Sequence, residues 1–144
     1  MPKRRLILLS LVLLALFAPL YAAQAPKNVI LMIGDGMGFA QVTLARLSAD
    51  HPLNMDSMKY AAFVKTQSAD ATVTDSAAAG TALATGFKTN NGMISTLPDG
   101  TQVPTILEAA QKLGKAAGLV TTTTITHATP AVFGSHIASR KGEA

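Results

Sequence analysis

The sequence contains no cysteine and no tryptophan, and aromatic residues make up only 5% of it. Without cysteine there is neither a disulfide framework nor a thiolate zinc site, so any metal must be bound through Asp, Glu, His or hydroxyl groups. A useful excess of one charge sign is also missing. The formal net charge of +4 includes Lys3, Arg4 and Arg5, and beyond them nine basic residues face eight acidic ones. That balance gives no basis for nucleic-acid binding. Lacking too is an apolar run long enough to cross a bilayer. The longest, residues 6–20, has 15 residues and contains Pro19, against about 20 for a spanning helix.

What is present begins with that same run. A basic start, a short apolar stretch and the small residues Ala22, Ala23 and Ala25 together read as a secretory signal peptide over residues 1–25. The expected destination is therefore outside the cytoplasm, periplasmic or extracellular. With 144 residues in all, of which 49% are hydrophobic, the remaining 26–144 suffice for at most one domain with a buried core. There is no internal repeat and no low-complexity linker.

Residues 28–33 form a continuous apolar run that stops at Gly34, Asp35, Gly36, as a strand buried on both faces would before a loop. Residues 62–67 and 117–124 are two further strand candidates. Between them the spacing predicts helices: residues 39–49, closed before Pro52; a helix opening at Asp75 or Ser76 and ending at Gly86; and one capped by Thr105 and Glu108 and terminated by Gly114. A last helix is expected to open at Thr129 and Pro130 and run to Arg140, with His136 and Arg140 on one face. Strands alternating with helices, and apolar rather than period-two strands, predict an α/β sandwich around a largely parallel sheet.

Several residues fit chemistry as well as structure. Ser76 at a helix start lies near unpaired backbone N–H groups, where an attacked phosphate is held, and it is equally a plain helix cap. Asp35 sits at the carboxyl end of the first strand, where open sheets place ligands, and is equally a turn residue. A dinucleotide fingerprint does not fit, because Phe39 stands where the third glycine would fall. His127 and Thr129 follow the third strand, as ligands or as a structural histidine and a cap. Arg140, one of two arginines beyond the leader, carries the group that grips phosphate oxygens in pairs. His51 and His136 are read as surface or structural residues.

Residues 73–82, Val-Thr-Asp-Ser-Ala-Ala-Ala-Gly-Thr-Ala, resemble the nucleophile signature of the alkaline phosphatases, and residues 33–38, Ile-Gly-Asp-Gly-Met-Gly, resemble their first metal-binding strand end. The similarity continues through residues 127–130 and 139–141. The resemblance implies a three-layer sandwich and the hydrolysis of phosphate monoesters at two zinc ions and one magnesium. In it, Ser76 forms a covalent phosphoserine with its hydroxyl deprotonated beside zinc, Asp35 bridges zinc and magnesium, and Thr129 ligates magnesium. Arg140 clamps phosphate, Asp75 orients Arg140, and His127 stands near magnesium where some bacterial members carry aspartate. A neutral imidazole there implies weaker magnesium retention or partial zinc substitution.

The resemblance covers well under half of the family's catalytic domain, and most of the family's zinc ligands lie in the other part. The chain is accordingly expected to be the N-terminal part of a larger domain, inactive alone, from a protein able to form homodimers. Two other readings are a secreted binding module without catalysis, and a phosphodiester, sulfate-ester or phosphomutase member of the same superfamily. Serine at position 76, rather than threonine or a modifiable cysteine, argues against the diesterase and sulfatase versions.

Overall fold

The computed structural model describes residues 26–142; the expected signal peptide, residues 1–25, lies outside them. The chain divides into two units, Met1–Ile33 and Gly34–Ala144. In the first, the described residues 26–33 form neither helix nor strand, with Val29, Ile30 and Met32 exposed. Among the described residues the helices lie in the second: α1 (Phe39–Ser48), α2 (Ser76–Thr85), α3 (Ile106–Lys112) and α4 (Ala128–Gly134), with 3-10 turns at Asn54–Ser57 and Arg140–Gly142.

Local chemistry explains where the first three helices start and stop. Asp75 caps α2, its carboxylate accepting from Ala78 N at 2.9 Å, and Gly86 ends the helix in the left-handed conformation at φ 79°. Thr105 and Glu108 cap α3 reciprocally: Thr105 Oγ1 accepts from Glu108 N and Glu108 Oε2 accepts from Thr105 N. At α1, Gln41 Oε1 accepts from Gly38 N at 2.9 Å.

α2 packs chiefly on α4, and α3 lies against both. The contact is close because the facing residues are small: Ala77, Ala78, Ala84 and Ala128 are buried, and a Cβ on Gly80 would come within 2.9 Å of Val132 Cγ2. Around this apolar centre, completed by Ile94, Val103, Val132 and Phe133, lies a shell of buried hydroxyls. Each has a partner: Thr81 donates to Met93 O, Thr89 to Thr96 O, Ser95 to Val132 O, Thr96 to Ile94 O and Thr105 to Phe133 O. Buried polar groups are tolerated only when so satisfied.

Two expectations are corrected. None of the strand candidates, residues 28–33, 62–67 and 117–124, is paired in a ladder; the β pairings among the described residues are isolated antiparallel bridges, Ile94 with Ile137 and Thr96 with Gln102. A helix closes its own hydrogen bonds, whereas a strand takes them from a neighbour. These segments instead expose apolar side chains such as Phe63, 92% exposed, and Val120, 100% exposed.

The last helix starts earlier and ends sooner than predicted. His127 precedes its first residue, Thr129 is its second, and it stops at Gly134 because Ser135 turns extended at φ −146°. Ile137 then pairs with Ile94 through two backbone hydrogen bonds of 2.9 Å. Consequently His136 and Arg140 do not share a helix face.

Candidate functional site

The N-terminus of α2 is the centre of the polar cluster. Ser76 is its first residue, half-buried, and by helix geometry the first amides of α2 have no partner within the helix. Preceding it, Asp75 uses both carboxylate oxygens. Oδ1 accepts from Ala78 N, and Oδ2 accepts from Gly92 N at 2.9 Å and from Arg140 Nη1 at 3.2 Å. Burial alone would raise the Asp75 pKa. The bonds from Ala78, Gly92 and Arg140 outweigh it and hold the carboxyl below its ordinary value.

Arg140 reaches this point from the short turn after the Ile94–Ile137 bridge. Its Nη1 donates to Ser76 Oγ at 2.9 Å as well as to Asp75. A guanidinium at that distance favours the alkoxide form of a serine over the alcohol and offers paired donors to an oxyanion. Its other nitrogen, Nη2, lies 3.4 Å from His127 Nε2. Since a guanidinium only donates, Nε2 must accept and the ring proton belongs on Nδ1. That Nδ1 is buried and has no hydrogen-bond partner among the described residues.

A second pair is formed by Asp35 and Thr129. Asp35 stands in a turn closed by Met37 N donating to Gly34 O at 3.1 Å, and its Oδ2 accepts from Thr129 Oγ1 at 2.5 Å. The Thr129 hydroxyl therefore does not cap α4. Carboxylate and hydroxyl oxygens are the donors a hard cation such as magnesium takes, with water completing its octahedron. Zinc is poorly served: no group of three or more His, Asp or Glu able to hold a metal occurs among the described residues, and a zinc site needs three or four protein ligands.

The fold thus brings Asp75, Ser76, Arg140 and His127 into one hydrogen-bonded set and joins Asp35 to Thr129 in another. The sequence reading overlooked Asn91 and Gly92. Asn91 Oδ1 accepts from Asp75 N and its Nδ2 donates to Val73 O, both at 2.9 Å. The signal was the Asn-Gly dipeptide, a strong turn marker. His136 is structural, as read, bonded to Ser95 O and Glu108, and His51 is exposed.

Residues 26–144 match the family model described as alkaline phosphatase. Alkaline phosphatase 3 of Bacillus subtilis is 47% identical over 125 residues, covering 80% of this chain and 27% of that protein. The alkaline phosphatase of the Antarctic bacterium TAB5 superposes with a TM-score of 0.78 at 40% identity, covering 81% of this chain and 34% of that one. A histidine-to-aspartate variant of the TAB5 enzyme, with Mg bound, gives a TM-score of 0.80 at 40% identity, covering 82% of this chain and 34% of that one. The chain spans about a quarter of the length of the curated relatives it matches. With the family model matching residues 26–144 and solved relatives superposing at 40% identity, the chain belongs to the alkaline phosphatase family.

Proposed function

We propose that this chain carries the nucleophile and phosphate clamp of an exported phosphomonoesterase, on the three-layer sandwich the family resemblance implies. The observation that carries the reading is Arg140 Nη1 donating to both Asp75 Oδ2 and Ser76 Oγ at the first turn of α2. Phosphoryl transfer needs in-line positioning and charge neutralisation more than covalent machinery. Here Arg140 grips two non-bridging oxygens of the ester at the start of α2, where the helix dipole favours negative charge. Ser76 Oγ attacks phosphorus. The Oγ–P bond forms as the bond to the ester oxygen breaks, and the alcohol leaves with that electron pair and takes up a proton. The serine proton passes to solvent. Water then attacks the phosphoserine, releasing inorganic phosphate and restoring the hydroxyl. Asp75 holds Arg140 in place throughout.

The Asp35 carboxylate and Thr129 hydroxyl fit magnesium, and His127 lies two residues before Thr129 in the chain. When bound, magnesium supplies positive charge and ordered water near the transferring group. The TAB5 variant with Mg bound is a histidine-to-aspartate variant, which supports assigning His127 to the magnesium side. Exchanging this imidazole for a carboxylate should strengthen magnesium retention. His127→Asp is expected to keep more magnesium through dialysis, read by metal analysis, and an unchanged content would overturn the assignment.

Zinc finds no complete ligand set among the described residues. Its further ligands belong to the protein at its native length, and the 144-residue chain by itself is expected to turn over no substrate. Homodimers and a periplasmic or extracellular location are part of the same proposal. Among the described residues no helix is long and apolar enough to cross a membrane.

The test is made on the protein at native length, loaded with zinc and magnesium. A phosphate monoester such as p-nitrophenyl phosphate should be hydrolysed much faster than the corresponding diester. Radiolabelled phosphate should be trapped on Ser76, and Ser76→Ala should abolish the label. A label elsewhere, or turnover surviving Ser76→Ala, overturns the reading; preferential diester turnover favours the related chemistries instead.

A further inference from the structure

We infer that Asn91 is a positioning residue for the Ser76–Arg140 pair, acting through the two-residue turn it forms with Gly92; the inference rests on the phosphomonoesterase reading above. The turn over residues 90–93 is closed by Met93 N donating to Asn90 O at 3.2 Å, with Gly92 at φ +87°. This φ is open to glycine and strained for other residues. Asn91 has the ordinary negative φ expected of the residue before it.

From that turn four contacts radiate to the site. The Asn91 amide pairs with the backbone just before the nucleophile, accepting from Asp75 N and donating to Val73 O. This is the bonding a neighbouring strand would supply, delivered by one side chain. Gly92 N donates to the carboxylate of Asp75, and Gly92 O accepts from the backbone N of Arg140 at 2.6 Å. Behind the turn, Asp70 Oδ1 accepts from Asn91 N at 2.9 Å and from the buried Ser68 hydroxyl. Two adjacent residues therefore hold the backbone leading into Ser76 and the backbone of Arg140 at once.

The direct contacts between the two sides run through a single nitrogen, Arg140 Nη1, to Ser76 Oγ at 2.9 Å and to Asp75 Oδ2. The Asp75–Arg140 ion pair is 3.2 Å long and its side chains are 27% and 30% exposed, a setting in which water screens much of the attraction. Position is set by the turn, and the ion pair aligns the guanidinium within it. Asn91 itself is exposed and buries no part of the core, so its loss changes register without removing packing.

The experiment uses the native-length, metal-loaded protein with Asn91→Ala and Asn91→Asp. Aspartate retains the acceptor for Asp75 N but loses the donor and sets a carboxylate against Val73 O. Misplacing a nucleophile by a fraction of an ångström costs about tenfold or more in rate. Both variants should therefore lose about tenfold in kcat, and inhibition by inorganic phosphate should weaken several-fold, while the melting temperature stays near that of the parent. A folded variant whose kcat and phosphate inhibition constant stay within twofold of the parent overturns the inference, as does a loss that only tracks the folded fraction. If Asn91→Ala does not fold, Asn91→Asp decides alone. Turnover surviving Ser76→Ala in the same preparation overturns the phosphomonoesterase reading instead, which keeps the two failures distinct.

Discussion

Arg140 serves two acceptors with a single nitrogen, and this shapes what its substitution does. A lysine presents a compact point charge and cannot reproduce a planar fork shared between Asp75, Ser76 and a bound phosphate. Arg140→Lys is expected to retain part of the activity, and Arg140→Ala to lose about a hundredfold in kcat/KM, the scale for removing a charge-stabilising donor. Steady-state kinetics on the native-length protein checks both. An alanine variant as active as the parent would remove Arg140 from the site.

His136 shows a different use of charge. Its Nδ1 faces Ser95 O and its Nε2 faces Glu108 Oε1, each at 2.9 Å. Both partners only accept, so the two bonds together require the doubly protonated ring. Burial would lower the His136 pKa, but the bonds it donates to Ser95 O and Glu108 prevail and raise it. The Glu108 pKa is lowered, first by the His136 bond. For a raised histidine the stabilisation is complete below its unfolded value of about 6.5 and fades as pH climbs through the higher folded value. For the lowered glutamate it is present above its unfolded value of about 4.3 and fades as pH falls through the folded one. Between these limits the pair holds α3 to the 135–139 segment. Denaturant midpoints measured across pH should therefore fall as pH rises beyond about 6.5 in the parent and less steeply in His136→Gln. Equal slopes would exclude the pairing as the cause.

At the scale of elements, α2 is built for closeness rather than for helix propensity. Alanine at position 80 would favour an isolated helix by about 1 kcal/mol over glycine. Its Cβ, however, would fall 2.9 Å from Val132 Cγ2, and Val132 is fully buried. A β-branched side chain locked in a core has little room to yield, and overpacking costs about 1–3 kcal/mol. Gly80→Ala should thus lower stability despite the better propensity, read as a shift in urea midpoint. A more stable variant would show that α2 and α4 can separate at no loss.

The starts of α2 and α3 were legible because they are local. Asp75 and Thr105 satisfy amides three residues away, a bond that depends on almost nothing outside one turn. The end of α4 was not. The choice at Ser135 is set by Ile137 pairing with Ile94, a partner in a different part of the chain.

Among the described residues of the unit Gly34–Ala144, a packed helical centre stands beside apolar segments that lack ladder partners. Among the described residues, the surface of residues 62–67 and 117–124 exposes Phe63, Val64 and Val120. Unpaired apolar strands of this kind invite association with other chains. The 144-residue chain expressed alone is expected to bind a hydrophobic dye and to self-associate at micromolar concentration, measured by fluorescence and sedimentation. A monodisperse, dye-free monomer would show that these segments find cover within the chain.

By itself the sequence determined the family and the caps of α2 and α3, because motifs and caps are written in neighbouring residues and need only short-range geometry. Only the tertiary structure decided which polar groups meet. Arg140 reaches Ser76 across 64 positions and Thr129 reaches Asp35 across 94. Contacts that distant are worth their loop entropy only once α2, α3 and α4 have packed. The role of Asn91 belongs to the same class. Its amide is an ordinary turn residue in the sequence, and it becomes part of the site when packing sets it against the backbone that leads into Ser76.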